Sequence, residues 1–188
     1  MRLLTSIAVC LTAQSVCADP LGLNNYDRLF QKNARAIEIA ENGDLVLKLP
    51  NNVALMRQQV GPTGRVTAVD FSKSGSVGCA ATLYASIEAI ATTCEGVFSA
   101  DQVAMLNTYR GELLDYYAAN TFPVASRDSV QMAYDAYVQR LKPNEPAFCA
   151  TFGGERETFF GYMTSEQMRA DFDALLSQPR LPVANPCL

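Results

Sequence analysis

Four cysteines set the strongest constraint on this chain: Cys79, Cys94, Cys149 and Cys187. The other two, Cys10 and Cys17, lie in a leader reading MRLLTSIAVCLTAQSVCA. There Arg2 is followed by an apolar stretch from Leu3 to Val16, then Val16-Cys17-Ala18 with small residues at −3 and −1 before Asp19. Such a pattern predicts a Sec signal peptide over residues 1–18, cleaved after Ala18, and a mature chain in the periplasm or outside the cell. Thr5, Ser6, Thr12, Gln14 and Ser15 make the stretch a poor membrane span, and no later apolar run is long enough to cross a bilayer. No transmembrane segment is therefore expected after cleavage.

An even number of cysteines in an exported chain argues for two disulfides. A metal site is the competing reading, but the chain has no CxxC pair and no histidine. Cys79, Leu83, Ile87, Ile90 and Cys94 fall on one helical stripe, which predicts a helix from about Cys79 to Cys94. Its two cysteines would then stand about 22 Å apart at ~1.5 Å per residue. A disulfide spans only about 4.4–6.8 Å between Cα atoms, so the two cannot bond to each other. Short loops make successive helices antiparallel. That order brings Cys149 to the end of the helix carrying Cys94 and returns Cys187 to its start. The expected pairs are Cys94–Cys149 and Cys79–Cys187.

The period of the apolar residues changes near Gly78. Asn25 to Arg35 reads as a short helix, with Tyr26, Leu29 and Phe30 on one face. Ala36–Glu41 could extend that helix or form a strand against Asp44–Leu49. A three-residue loop, Glu41-Asn42-Gly43, would set Ile39 opposite Leu45 and Ile37 opposite Leu47, keeping apolar residues on one face. That register favours the hairpin. Pro50-Asn51-Asn52 is a turn, Val53–Val60 a strand, Gly61-Pro62-Thr63-Gly64 a turn, and Arg65–Phe71 a β-branched strand. Beyond Gly78 helical spacing dominates. Ser99-Ala-Asp-Gln102 is a capping box that opens a second helix carrying Leu106, Tyr109, Leu113 and Tyr116. A third follows Ser126, with Val130, Ala133, Tyr134, Tyr137, Val138 and Leu141 on its buried face. A fourth is expected at Thr164, from a Thr164–Gln167 capping box, with Met168, Phe172, Leu175 and Leu176 buried. The tail from Pro179 has three prolines and reads as extended. The expected fold is α+β, one domain over 19–188: a small antiparallel β-meander (19–77), then a disulfide-stapled bundle (78–188) of about four helices.

Several chemistries lack their residues. Without histidine there is no Ser-His-Asp or Cys-His nucleophile system. Lys73-Ser74-Gly75 matches a KSG triplet, but no serine is followed by lysine three positions later, so the penicillin-recognising set is incomplete. A formal net charge of −4, with no basic runs, makes nucleic acid or anionic lipid a poor partner. No cofactor and no metal is expected.

One segment stands out, Phe148–Tyr162 (FCATFGGERETFFGY). Glu155 and Glu157 flank Arg156 between aromatics, and in an extended chain the two carboxylates share a face, roughly 6.5–7 Å apart. Paired carboxylates at such a separation, with aromatics to stack on sugars, suit a glycan or cell-wall hydrolase. The plainer reading is a connector whose phenylalanines plug the core, with Arg156 and Tyr162 as weak binding candidates. Tyr109, Tyr116, Tyr117, Tyr134 and Tyr137 could line a groove, but at helical spacing they belong with core and rim. These observations favour an exported, non-enzymatic protein that binds a periplasmic protein or envelope component. A hydrolase using Glu155 and Glu157 is the first alternative. A small-ligand carrier with a cavity among the last three helices is the second.

Overall fold

A computed structural model of the chain describes residues 19–58, 66–94, 96–142, 149, 162 and 165–187. Its first helix, α1 (Tyr26–Lys32), starts where the Asn25 side chain accepts the Arg28 N–H at 2.9 Å. Helix α1 buries Leu29 and Phe30 and stops at Asn33. A 3-10 turn, Ala34–Ala36, leads out of it into β1 (Ile37–Ile39). The ambiguous stretch is therefore strand, although only three of its residues pair. It lies antiparallel to β2 (Leu45–Leu49), with Ile37 opposite Leu47 and Ile39 opposite Leu45. Gly43 closes the hairpin at φ +86°, a conformation costly for any residue with a Cβ.

A second left-handed pair, Asn51 and Asn52, turns the chain into β3 (Val53–Arg57). The strand β4 (Val66–Asp70) completes an antiparallel sheet in the order β1-β2-β3-β4. Among the described residues both strands end earlier than expected: β3 at Arg57 and β4 at Asp70. The Gly61–Gly64 turn lies outside the described residues. Leu47, Leu55 and Ala68 stand in one cross-strand row and are buried against Leu29 and Phe30.

The helical part follows a polar hinge. Helix α2 (Val77–Thr93) begins before Cys79, because the Ser76 hydroxyl accepts the Cys79 N–H. Its buried residues surround the axis: Val77, Ala81, Tyr84, Ala85, Ile87, Ala89 and Ile90. The single stripe expected through Leu83 is thus incorrect. Leu83 is 42% exposed, and Tyr84 faces inward instead. A helix packed on several sides needs small residues all round it rather than one apolar face, and the alanines of α2 supply them.

Helix α3 (Ala100–Asn120) opens on the Ser99–Gln102 capping box, with both reciprocal hydrogen bonds present. Helix α4 (Arg127–Leu141) is capped by Ser126 and buries Val130, Tyr134, Tyr137 and Val138. Helix α5 (Glu166–Leu176) buries Met168, Phe172 and Leu175. Its cap is Ser165, which accepts the Met168 N–H at 3.1 Å, rather than Thr164. Gln167 is consequently free of capping duty and donates to Asp171. The architecture is α+β, with the meander preceding the helices that form the main core.

Two disulfides staple it in the nested pairing: Cys79–Cys187, with Cα atoms 5.0 Å apart, and Cys94–Cys149, at 5.5 Å. Such bonds form and persist in oxidising compartments. Among the described residues no helix is long and apolar enough to cross a membrane.

The extended tail joins the two parts. Leu181 and Val183 enter the sheet's core, and the Val183 carbonyl accepts from the Gly78 N–H and the Ser76 hydroxyl. Backbone and backbone come so close that a Cβ at Gly78 would lie 2.4 Å from the Val183 carbonyl carbon. Arg180, fully buried, donates to the Asp70 carboxylate at 2.6 Å, to the carbonyls of Gly75, Leu175 and Gln178, and to the Ser74 hydroxyl. Tyr116 of α3 accepts the Arg180 N–H and donates to the Gln178 carbonyl.

Candidate functional site

The segment singled out in the sequence is tethered at both ends. Cys149 is bonded to Cys94, which caps the C-terminus of α2. Tyr162, at the other end, accepts hydrogen bonds at its carbonyl from the Ser165 N–H and hydroxyl, so the cap of α5 also holds the segment's exit. Glu155, Arg156 and Glu157 lie outside the described residues. Tyr162 is exposed, and its hydroxyl donates to Asp171 at 3.0 Å. That carboxylate raises the phenol's pKa.

Next to Tyr162 is a shelf built by α3 and α5. Arg169 pairs with Glu112 through two parallel hydrogen bonds, at 2.8 and 3.0 Å, and with Asp173 one turn along its own helix. The planar guanidinium fork suits a carboxylate in this bidentate way. The same guanidinium covers the rings of Tyr109 and Phe172, 5.5 and 6.0 Å from their centroids. Below it Tyr84, Tyr109 and Phe172 form an aromatic trio with centroids 4.7–5.5 Å apart. Among the described residues the buried Tyr84 hydroxyl has no hydrogen-bond partner. Burial pushes its pKa upward, and the charges of Arg169 and Glu112 reach it. It stays protonated at any physiological pH and is a neutral donor and acceptor, not a base.

A second polar cluster runs across α2, α3 and α4. Arg110 bridges Glu88 at 3.1 Å and Asp135, and lies over the Tyr134 ring. Gln131 donates to both Asp135 oxygens, Arg127 donates to Gln131, and Arg127 also pairs with Asp115. Desolvation raises the pKa of Glu88 despite Arg110 beside it. The Tyr134 hydroxyl sits next to Glu88 without a well-formed hydrogen bond. Every charge here is matched by a neighbour within the cluster, as in a network that orders helices.

The tyrosines weighed as groove residues, Tyr109, Tyr116, Tyr117, Tyr134 and Tyr137, are all buried. Among the described residues no group of cysteine, aspartate and glutamate side chains could hold a metal ion. The sequence did not single out the Arg169–Glu112 shelf. The Arg169–Asp173 spacing was visible as a helical i,i+4 pair, but Glu112 comes from another helix. No protein family, curated protein or solved structure matches the chain.

Proposed function

We propose that this is an exported, non-enzymatic binding protein of the cell envelope, and that it presents the segment between Cys149 and Tyr162 to a periplasmic or envelope partner. The observation that carries the reading is the double tether: a disulfide at one end and a helix cap at the other. A connector serving only as a link needs neither. A segment restrained at both ends loses less conformational entropy on binding. Its Glu155-Arg156-Glu157 triplet, its aromatics and the adjoining Tyr162 offer charge and ring contacts of the kind that anchor interfaces. The leader and the disulfides support an oxidising, exported location.

A photo-crosslinking residue at Tyr162, expressed with the native leader, tests this. A specific crosslinked envelope component is expected, and it should be lost with Arg156→Ala and with the paired Cys94→Ala, Cys149→Ala substitution. A crosslink indifferent to both changes would sink the proposal. Cleavage of peptidoglycan by the purified protein, abolished by Glu155→Gln or Glu157→Gln, would replace it with the hydrolase reading.

A further inference from the structure

The first residue of the expected mature chain is buried in an unusual way. Asp19 is 6% exposed, and the residues around it are sewn into the fold. Its carbonyl accepts the Gly22 N–H, Leu21 enters the main core, and Asn24 bonds the Phe122 N–H and the Pro182 carbonyl. One carboxylate oxygen of Asp19 accepts the Asn24 N–H at 2.5 Å, while the other is buried and has no well-formed hydrogen bond among the described residues. Nearby, the fully buried Tyr117 hydroxyl also has no hydrogen-bond partner among the described residues and feels the Asp19 charge. Burial raises the Asp19 pKa, and what opposes it is backbone N–H groups rather than any basic side chain. A buried carboxylate with an open oxygen is costly unless a cation or donor meets it.

We propose that cleavage after Ala18 creates that missing cation: the new α-ammonium of Asp19 becomes the buried counter-ion of its own carboxylate and a donor to Tyr117. The inference rests on the export reading above. In the cleavage step an endopeptidase adds the hydroxyl of water to the Ala18 carbonyl carbon as the C–N bond breaks. The proton from water and the proton of the new carboxylic acid both end on the Asp19 nitrogen. Ala18 leaves as a carboxylate and Asp19 gains an ammonium. An ammonium has several donors, whereas the amide N–H before cleavage had one and no charge. Processing thus converts a destabilised carboxylate into an ion pair and fastens the N-terminal segment onto α1 and α3. The titratable side chains that feel the Asp19 charge are Tyr26 from α1 and Tyr117 from α3, neither of them cationic.

The test uses protein exported and processed in cells, its N-terminus read by mass spectrometry. Inserting one glycine between Ala18 and Asp19 moves the ammonium about 3.8 Å along the chain. This form should melt about 3–8 °C lower than the native mature protein. The same insertion in an Asp19→Asn background should cost almost nothing. The α-amino group of the native form should titrate well above its ordinary value of about 8, and Asp19→Asn should bring it back. Equal melting losses in both backgrounds, or an ordinary α-amino titration, overturn the proposal while leaving export intact. A mature chain starting at another residue overturns the proposal together with the expected cleavage site.

Discussion

Arg180 and Arg169 engage carboxylates on neighbouring stretches of the chain, but in opposite settings. Arg180 and its partner Asp70 are both wholly buried, whereas Arg169 and Glu112 are 42% and 37% exposed. Around Arg180, itself in the tail, sheet, hinge and α5 converge, and each accepts a hydrogen bond from its guanidinium. Arg169 joins α3 to α5 over aromatic rings and faces water. A desolvated pair becomes indispensable once formed, because losing one member strands the other. A solvated pair can lose a member to hydration at little cost. The fold is therefore held at the Arg180 seam, while the half-exposed Arg169 pair contributes little to holding it.

The largest expected effect breaks the buried side. Arg180→Ala should cost about 3–5 kcal/mol in urea unfolding, since Asp70 would be left buried and unpaired. Arg180→Met combined with Asp70→Leu should not recover this loss, because the carbonyls of Gly75 and Leu175 would remain without their donor. Recovery to wild-type stability would show that the Arg180→Ala loss comes from the stranded Asp70 charge alone.

Removing Cys79–Cys187 as a pair to alanine should cost about 2–5 kcal/mol, read as a lowered melting temperature. Non-reduced peptide mapping should yield Cys79–Cys187 and Cys94–Cys149 peptides. Next comes Gly78→Ala, at about 1–3 kcal/mol, because its Cβ meets tail backbone rather than a side chain that could rotate away. Loss of hydrogen-exchange protection at the Gly78 and Asp70 amides would trace the damage to the seam. On the exposed side, Arg169→Ala should cost no more than about 1 kcal/mol. A larger loss would mean the shelf is structural after all.

The smallest effect concerns pH. Glu88 has its carboxyl pKa raised in the folded state by burial. A raised folded pKa contributes stability below the unfolded value of about 4.3 and loses it as pH climbs through the folded value. Stability should therefore decline slightly across that window as pH rises, and Glu88→Gln should flatten the decline in urea titrations at successive pH values.

The parts of this molecule that were legible in its sequence rest on short-range physics. A glycine able to take positive φ, placed after Glu41-Asn42, specified the β1–β2 register, since one residue more or less would move Ile37 away from Leu47. Ser99 and Gln102 marked the start of α3 because capping is settled within one turn. The disulfide pairing followed from the rise of one helix and the brevity of the loops. Other features depended on neighbours remote in sequence. Leu83 and Tyr84 are adjacent apolar residues on a helix rich in alanine, and which of them is buried depends on how the other helices surround α2. Thr164 and Ser165 are adjacent hydroxyl residues of equal capping chemistry, and it is Ser165, bonded to the Tyr162 carbonyl, that caps α5. Asp70 and Arg180 carry no local sign that they will meet. Burial of a charge is decided only when sheet, hinge, helix and tail close over it together, because the desolvation that makes the pair matter exists only in the assembled core.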